Sequence, residues 1–146
     1  MNSPHARRSA VLRTGLALLA TMCVIFSPGC VAQAVPVGRG ELVGQYAGGT
    51  LAFDLPSGPN AVPVLTAAAA AERALTARGY TIVGRTTSEH ESRVEGRYPQ
   101  PTALTNAVVL AFTDVRGTRV SIRIGGFGDL PESQAIANDM LALIGR

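Results

Sequence analysis

The sequence contains no Lys and no Trp. All 13 basic side chains are Arg, and the only aromatics are four Phe and three Tyr. So few flat rings give no platform on which single-stranded nucleic acid could stack. Charge does not point to nucleic acid either. The formal net charge is +3, but Arg7, Arg8 and Arg13 lie in an N-terminal segment expected to be removed. Ten Arg then face ten acidic residues, a balance without a basic footprint. Cysteine is nearly missing: Cys23 lies in the same N-terminal segment, so Cys30 is the only Cys expected in the mature chain. An internal disulfide is thereby excluded. One His in the expected mature chain, His90, and no thiolate cluster do not make a zinc pattern, so no metal is expected. Nor is any cofactor.

What is present begins with a leader. Arg7, Arg8 and Arg13 precede the apolar run Thr14–Phe26, whose 13 residues suit a signal peptide and fall short of the ~20 of a membrane-crossing helix. Two exits follow. Ser27-Pro28-Gly29-Cys30 resembles the lipobox of bacterial lipoproteins, with Ser27 where that motif usually has Leu. Ala32-Gln33-Ala34 is a small-x-small cleavage site. An exported chain whose single Cys stands at its mature N-terminus is well explained if that Cys carries lipid, so Cys30 is the expected lipidation site. Several acyl chains would hold it stably, since each buried methylene is worth ~0.8 kcal/mol. The expected organisation is a signal peptide over 1–29, a flexible tether over 30–44 and a single domain over 45–146. The tether reading rests on Pro36, Gly38, Gly40 and Gly44 in a stretch without a clear period.

The domain reads as strand, helix, four strands, helix. Tyr46–Leu55 is the first strand, with Leu51, Phe53 and Leu55 on one face and Gly48-Gly49 as a bulge. Asn60 is the expected cap of a helix over Ala61–Arg78, whose inward stripe is Val64, Ala68, Ala71 and Leu75. Gly79 ends it. Strands are expected at Tyr80–Thr87, Arg93–Tyr98, Ala107–Thr113 and Thr118–Ile124. In the last of these Val120, Ile122 and Ile124 alternate with Arg119, Ser121 and Arg123. Asp129 then caps a helix running to the end, with Glu132 at capping-box spacing and Ile136, Met140, Leu143 and Ile144 as its stripe. Short turns make successive strands antiparallel. The expected fold is therefore α+β: a two-layer sandwich of about five antiparallel strands with two helices on one face.

The run Ser121-Ile122-Arg123-Ile124-Gly125-Gly126-Phe127-Gly128-Asp129 resembles the C-terminal signature of a family of small bacterial envelope lipoproteins, catalogued as a domain of unknown function. Gly79-Tyr80-Thr81-Ile82-Val83 and Val94-Glu95-Gly96-Arg97 resemble its helix-to-strand junction and next strand. The resemblance spans Tyr46–Arg146. It implies a signal peptide, a lipobox Cys and a glycine-rich tether, and it brings no catalytic residues. A membrane anchor at Cys30 facing the periplasm follows from it. Val31 after the Cys, rather than Asp, points to the outer membrane by analogy with enteric lipoproteins.

Three places could carry chemistry. His90 sits among Glu89, Glu91 and Ser92, but neighbours in one turn do not supply a positioned nucleophile and an orienting carboxylate; a solvated turn is expected, and no catalytic residue. Gly125–Asp129, between a strand and a helix N-terminus, could face a phosphate. It lacks the P-loop Lys and Ser/Thr, and Asp129 repels anions, so a structural turn is expected with Phe127 plugging the sheet–helix junction. Arg93, Arg97, Arg119 and Arg123 fall on the polar sides of their strands, interleaved with Glu95. If those strands are neighbours, the cluster is a docking face for an acidic envelope protein, peptidoglycan or a lipid head group. The alternative is an ordinary solvated face of cross-strand charge pairs. The expected function is a non-enzymatic lipoprotein, an interaction or structural module. A soluble periplasmic or secreted ligand-binding module cut after Ala34 is the second reading, and a hydrolase using His90 the third.

Overall fold

Val120, Ile122 and Ile124 lie fully buried on the middle strand of a seven-stranded sheet, and the rest of the domain is arranged about them. A computed structural model describes residues 31–99 and 106–146. The expected signal segment 1–29, Cys30 and residues 100–105 lie outside them. The strands are β1 (Gln33–Val37), β2 (Leu42–Ala47), β3 (Thr50–Asp54), β4 (Thr81–Thr87), β5 (Glu91–Arg97), β6 (Asn106–Asp114) and β7 (Gly117–Ile124). The helices are α1 (Val64–Ala77) and α2 (Leu130–Ile144). All strand pairs are antiparallel, in the order β1-β2-β3-β7-β6-β5-β4. The chain leaves β3 through α1 and returns at the opposite edge, in β4. It then fills the gap strand by strand until β7 pairs with β3.

Both helices lie on one face. α1 covers β4, β5 and β6, while α2 covers β7, β3 and β1. The inward stripe of α1 is Val64, Ala67, Ala68, Ala71, Ala74 and Leu75, all buried. Its alanines let the helix backbone come close to the sheet, so packing is tight with little side-chain volume. α2 buries Ile136, Ala137, Met140 and Leu141. Each of the larger side chains contributes roughly 1.5–3 kcal/mol by leaving water. Asp129 caps α2 as expected, its Oδ1 accepting from the Glu132 N–H at 2.8 Å. The reciprocal half of the capping box is replaced: the Glu132 carboxylate binds Arg78 instead.

The α+β class and the two helices on one face are as the sequence implies, but the sheet has seven strands, not five. Both extra strands come from the N-terminal end. The expected tether over 30–44 is instead, from Gln33 onward, strand β1 and the start of β2, with Val35 and Val37 in the core. Gly38, Gly40 and Gly44 serve this hairpin rather than flexibility. A Cβ on Gly44 would lie 2.9 Å from the Leu51 side chain. The expected strand Tyr46–Leu55 is broken at Gly48-Gly49. Both have positive φ, 56° and 79°, the signature of a two-residue hairpin turn and not of a bulge. The first helix starts at Val64, three residues late. Pro63 disfavours helical geometry at Val62, so Pro63 and not Asn60 takes the N-cap position.

Candidate docking surface

Alternation on the strands sends one set of side chains under the helices and the other to a face that no helix covers. On β7 the uncovered set is Arg119, Ser121 and Arg123, all half-buried. On β5 it is Glu91, Arg93, Glu95 and Arg97. The expected docking residues thus share a face. They do not form one cluster, because β5 and β7 are not neighbours. β6 lies between them and separates the two pairs of arginines by two strand spacings, about 9.6 Å.

The stripe in the gap is apolar. Val108, Leu110 and Phe112 are half-buried on the uncovered side of β6, while Ala107, Val109 and Ala111 are buried beneath the helices. Registers align Glu91 with Phe112 and Arg119, Arg93 with Leu110 and Ser121, and Glu95 with Val108 and Arg123. The surface is therefore a short apolar ridge between two polar rows. Sequence reasoning missed this ridge, although its signal was present: Ala107–Phe112 is apolar at every position, as expected of a strand with neighbours on both edges and few contacts with water.

The arginines are largely engaged. Arg93 pairs with Glu95 on its own strand, and Arg119 lies 3.4 Å from Asp54 on β3. Arg123 donates to the Gly48 carbonyl at 2.8 Å and to the Gly126 carbonyl. It clamps the β2–β3 turn to the loop after β7, and both of these partners are neutral carbonyls. Arg97 is exposed at the end of β5, opposite Asn106.

The other candidate places resolve differently. His90 is exposed, and the Ser88 hydroxyl is committed to the turn: its Oγ donates to the Glu91 carbonyl and accepts from the His90 and Glu91 N–H groups. Ser92 turns to the covered face, 3.4 Å from Thr87, so His90 and Ser92 are not brought together. The loop Gly125–Asp129 is held by Arg123 and by a backbone approach so close that a Cβ on Gly128 would stand 2.2 Å from the Gly49 carbonyl oxygen. That contact fills the junction with backbone. Phe127, expected to plug it, is instead 98% exposed at the tip of the loop.

Under the helices, Arg78 at the end of α1 binds Glu132 through two 2.8 Å bonds and Asp139 at 3.0 Å. The hydrogen bonds that Arg78 donates to the Glu132 carboxylate hold its guanidinium pKa above the ordinary range, against the pull of burial. Beside it Tyr80 is buried against Tyr98, edge to face with ring centres 5.3 Å apart. Burial, with the nearby Glu132 charge adding to it, pushes the Tyr80 phenol up to about 12. The Tyr80 hydroxyl and the Ser133 Oγ have no hydrogen-bond partner. This group joins the C-terminus of α1 to α2, from its first turn at Glu132 as far as Asp139. A shallow groove of about 300 Å³ runs over the outer helix surfaces between Leu65, Ala69, Arg73 and Leu143. Among the described residues no three His, Cys, Asp or Glu side chains are grouped to hold a metal.

The arrangement defines a two-layer α+β domain with one helix-covered face and one open face. A family model described as a protein of unknown function (DUF3568) matches residues 14–141, and the chain belongs to that family. Comparison with curated proteins gave no match.

Proposed function

We propose that the protein is a bacterial envelope lipoprotein, anchored through acylated Cys30 and facing the periplasm from the outer membrane. The domain is a non-catalytic interaction or structural module. The observation that carries this reading is the place of Cys30: the sole Cys of the expected mature chain, directly after a signal-like run and three residues before β1. The rival cleavage after Ala34 falls inside β1 and removes two of its five residues, while Val35, the new N-terminus, belongs to the core. That geometry favours the earlier exit. The open sheet face is the docking surface. A half-buried apolar ridge edged by arginines suits a protein partner better than a polar glycan, since apolar area is what association removes from water.

Intact mass of the mature protein from its own envelope tests the anchor. The expected chain begins at Cys30 and carries added acyl mass. A lipid-free chain beginning at Val35 would replace this reading with a soluble periplasmic module. Cys30→Ser is expected to move the protein from the membrane to the soluble fraction. His90→Ala is expected to leave envelope phenotypes unchanged; a loss would revive the hydrolase.

A further inference from the structure

Strand registers show which segments share an end of the sheet. Gln33, the first residue of β1, pairs with Tyr46 at the end of β2. Thr50, beyond the Gly48-Gly49 turn, pairs with Arg123 at the end of β7. Arg97 ends β5 and pairs with Asn106 and Thr81. One end of the domain thus gathers the start of β1, the Gly48-Gly49 turn, the Gly125–Gly128 loop and Arg97. The opposite end holds the Asp114–Gly117 turn, about eight residues or roughly 27 Å along β7.

We infer that the Gly125–Gly128 end rests on the bilayer, with Phe127 seated among the lipid head groups and acyl chains. This inference depends on the acylated-Cys30 reading. Three residues of chain reach at most about 11 Å, so a lipid on Cys30 keeps the start of β1 at the membrane surface and the far end away from it. With β1 built into the sheet there is no tether to lift the domain clear. At that same end stands the most exposed large apolar side chain of the described residues, Phe127 at 98%. Its exposure is built: the Arg123 clamp and the Gly49–Gly128 backbone contact hold the loop while leaving the ring outside. An aromatic ring at a membrane interface removes apolar area from water without leaving a buried polar group unpaired. Arg97 and Arg123 at the same end offer positive charge to lipid phosphates. Contact here is a second membrane signal beside the acyl chains. It also leaves the open face, with Val108, Leu110 and Phe112, turned sideways and accessible to a partner.

The absence of Trp makes the test direct. Phe127→Trp introduces a single tryptophan at the proposed contact. Val115→Trp places one in the far turn, where Val115 is 97% exposed. Each full-length protein, processed in its own envelope, is reconstituted into vesicles of phosphatidylethanolamine and phosphatidylglycerol with brominated acyl chains. The same samples are weighed by intact mass. The expected result is a blue-shifted Phe127→Trp emission, quenched several-fold more than that of Val115→Trp. Equal quenching in protein whose mass shows acylation overturns the membrane contact alone. A mass without acyl chains overturns the anchor, and the contact with it.

Discussion

The two faces of the sheet are made by the same strands and differ in almost everything else. Under the helices, β7 presents Thr118, Val120, Ile122 and Ile124, all buried. On the other side the same strand presents Arg119, Ser121 and Arg123, all half-buried, with Arg119 paired to Asp54 and Arg123 bound to turn carbonyls. The covered face holds the fold together through volume and shape. The open face keeps an apolar ridge, Val108, Leu110 and Phe112, that no part of the described domain covers. A protein that needed only solubility would gain by making that ridge polar. Its presence between rows of paired charges is what supports the proposal that the open face is a docking surface.

The largest test of this contrast is truncation on each side. Ile122→Ala on the covered face is expected to cost about 2–5 kcal/mol in denaturant unfolding. Leu110→Ala, opposite Ser121 on the open face, is expected to cost about 1 kcal/mol, because less contact is lost. Equal losses would mean that the open face is packed as tightly as the core.

A polar exception on the covered side sharpens the contrast. The Thr118 hydroxyl donates to the Val62 carbonyl at 2.6 Å in a buried site, tying the segment before α1 to β7. Thr118→Val keeps the shape but orphans that carbonyl, with an expected cost of about 1–2 kcal/mol. A neutral result would show that water reaches the site.

Tyr80 gives the covered face a pH signature. Its phenol is raised from its ordinary 10.0 to about 12 by burial and by the nearby Glu132 charge. The unfolded chain therefore ionises first. The stability held by neutral Tyr80 is complete below about pH 10 and is lost as pH rises from about 10 to about 12. Denaturation measured across that window is expected to fall with pH, and Tyr80→Phe to reduce the slope. At pH 7 that variant is expected to be close to neutral, since the hydroxyl has no hydrogen-bond partner to lose. A slope unchanged in Tyr80→Phe would assign the alkaline loss to other groups.

The smallest effect belongs to the open face. Arg93 and Glu95 form an exposed pair on one strand, and Arg93→Ala is expected to change stability by less than about 1 kcal/mol. Its larger expected effect is on crosslinking of the domain to its partner. If stability falls while crosslinking persists, Arg93 belongs to the fold and not to the docking surface.

Much of this was legible in the chain, and the misses have a common cause. Asp129 as a cap, Gly79 as a helix end and the two faces of Thr118–Ile124 are local properties. Each follows from a few adjacent residues and their backbone preferences. The alternation Val35-Pro36-Val37 was a genuine strand signal, but Pro36, Gly38 and Gly40 around it read equally well as a tether. Only pairing with Leu42–Ala47 and burial under α2 decide between the two. The four arginines were placed on the correct side of their strands, whereas their division by β6 depends on strand order. Period two says that a strand has two faces and does not say which strand lies beside it. Phe127 was misplaced for a related reason: an apolar side chain next to a helix start has an obvious burial site until two backbones, at Gly49 and Gly128, occupy it.

The sequence by itself determined where both helices lie, the Asp129 cap, the covered stripe of α1 and the two faces of β7, because these depend on neighbours along the chain. Tertiary structure alone decided that the glycine-rich N-terminal stretch is a sheet edge, that an apolar ridge parts the arginines, and that Phe127 faces outward at the same end as the start of β1. These depend on hydrogen-bond register and steric exclusion between residues far apart in the chain, such as Thr50 with Arg123 and Gly49 with Gly128, and no local pattern encodes them.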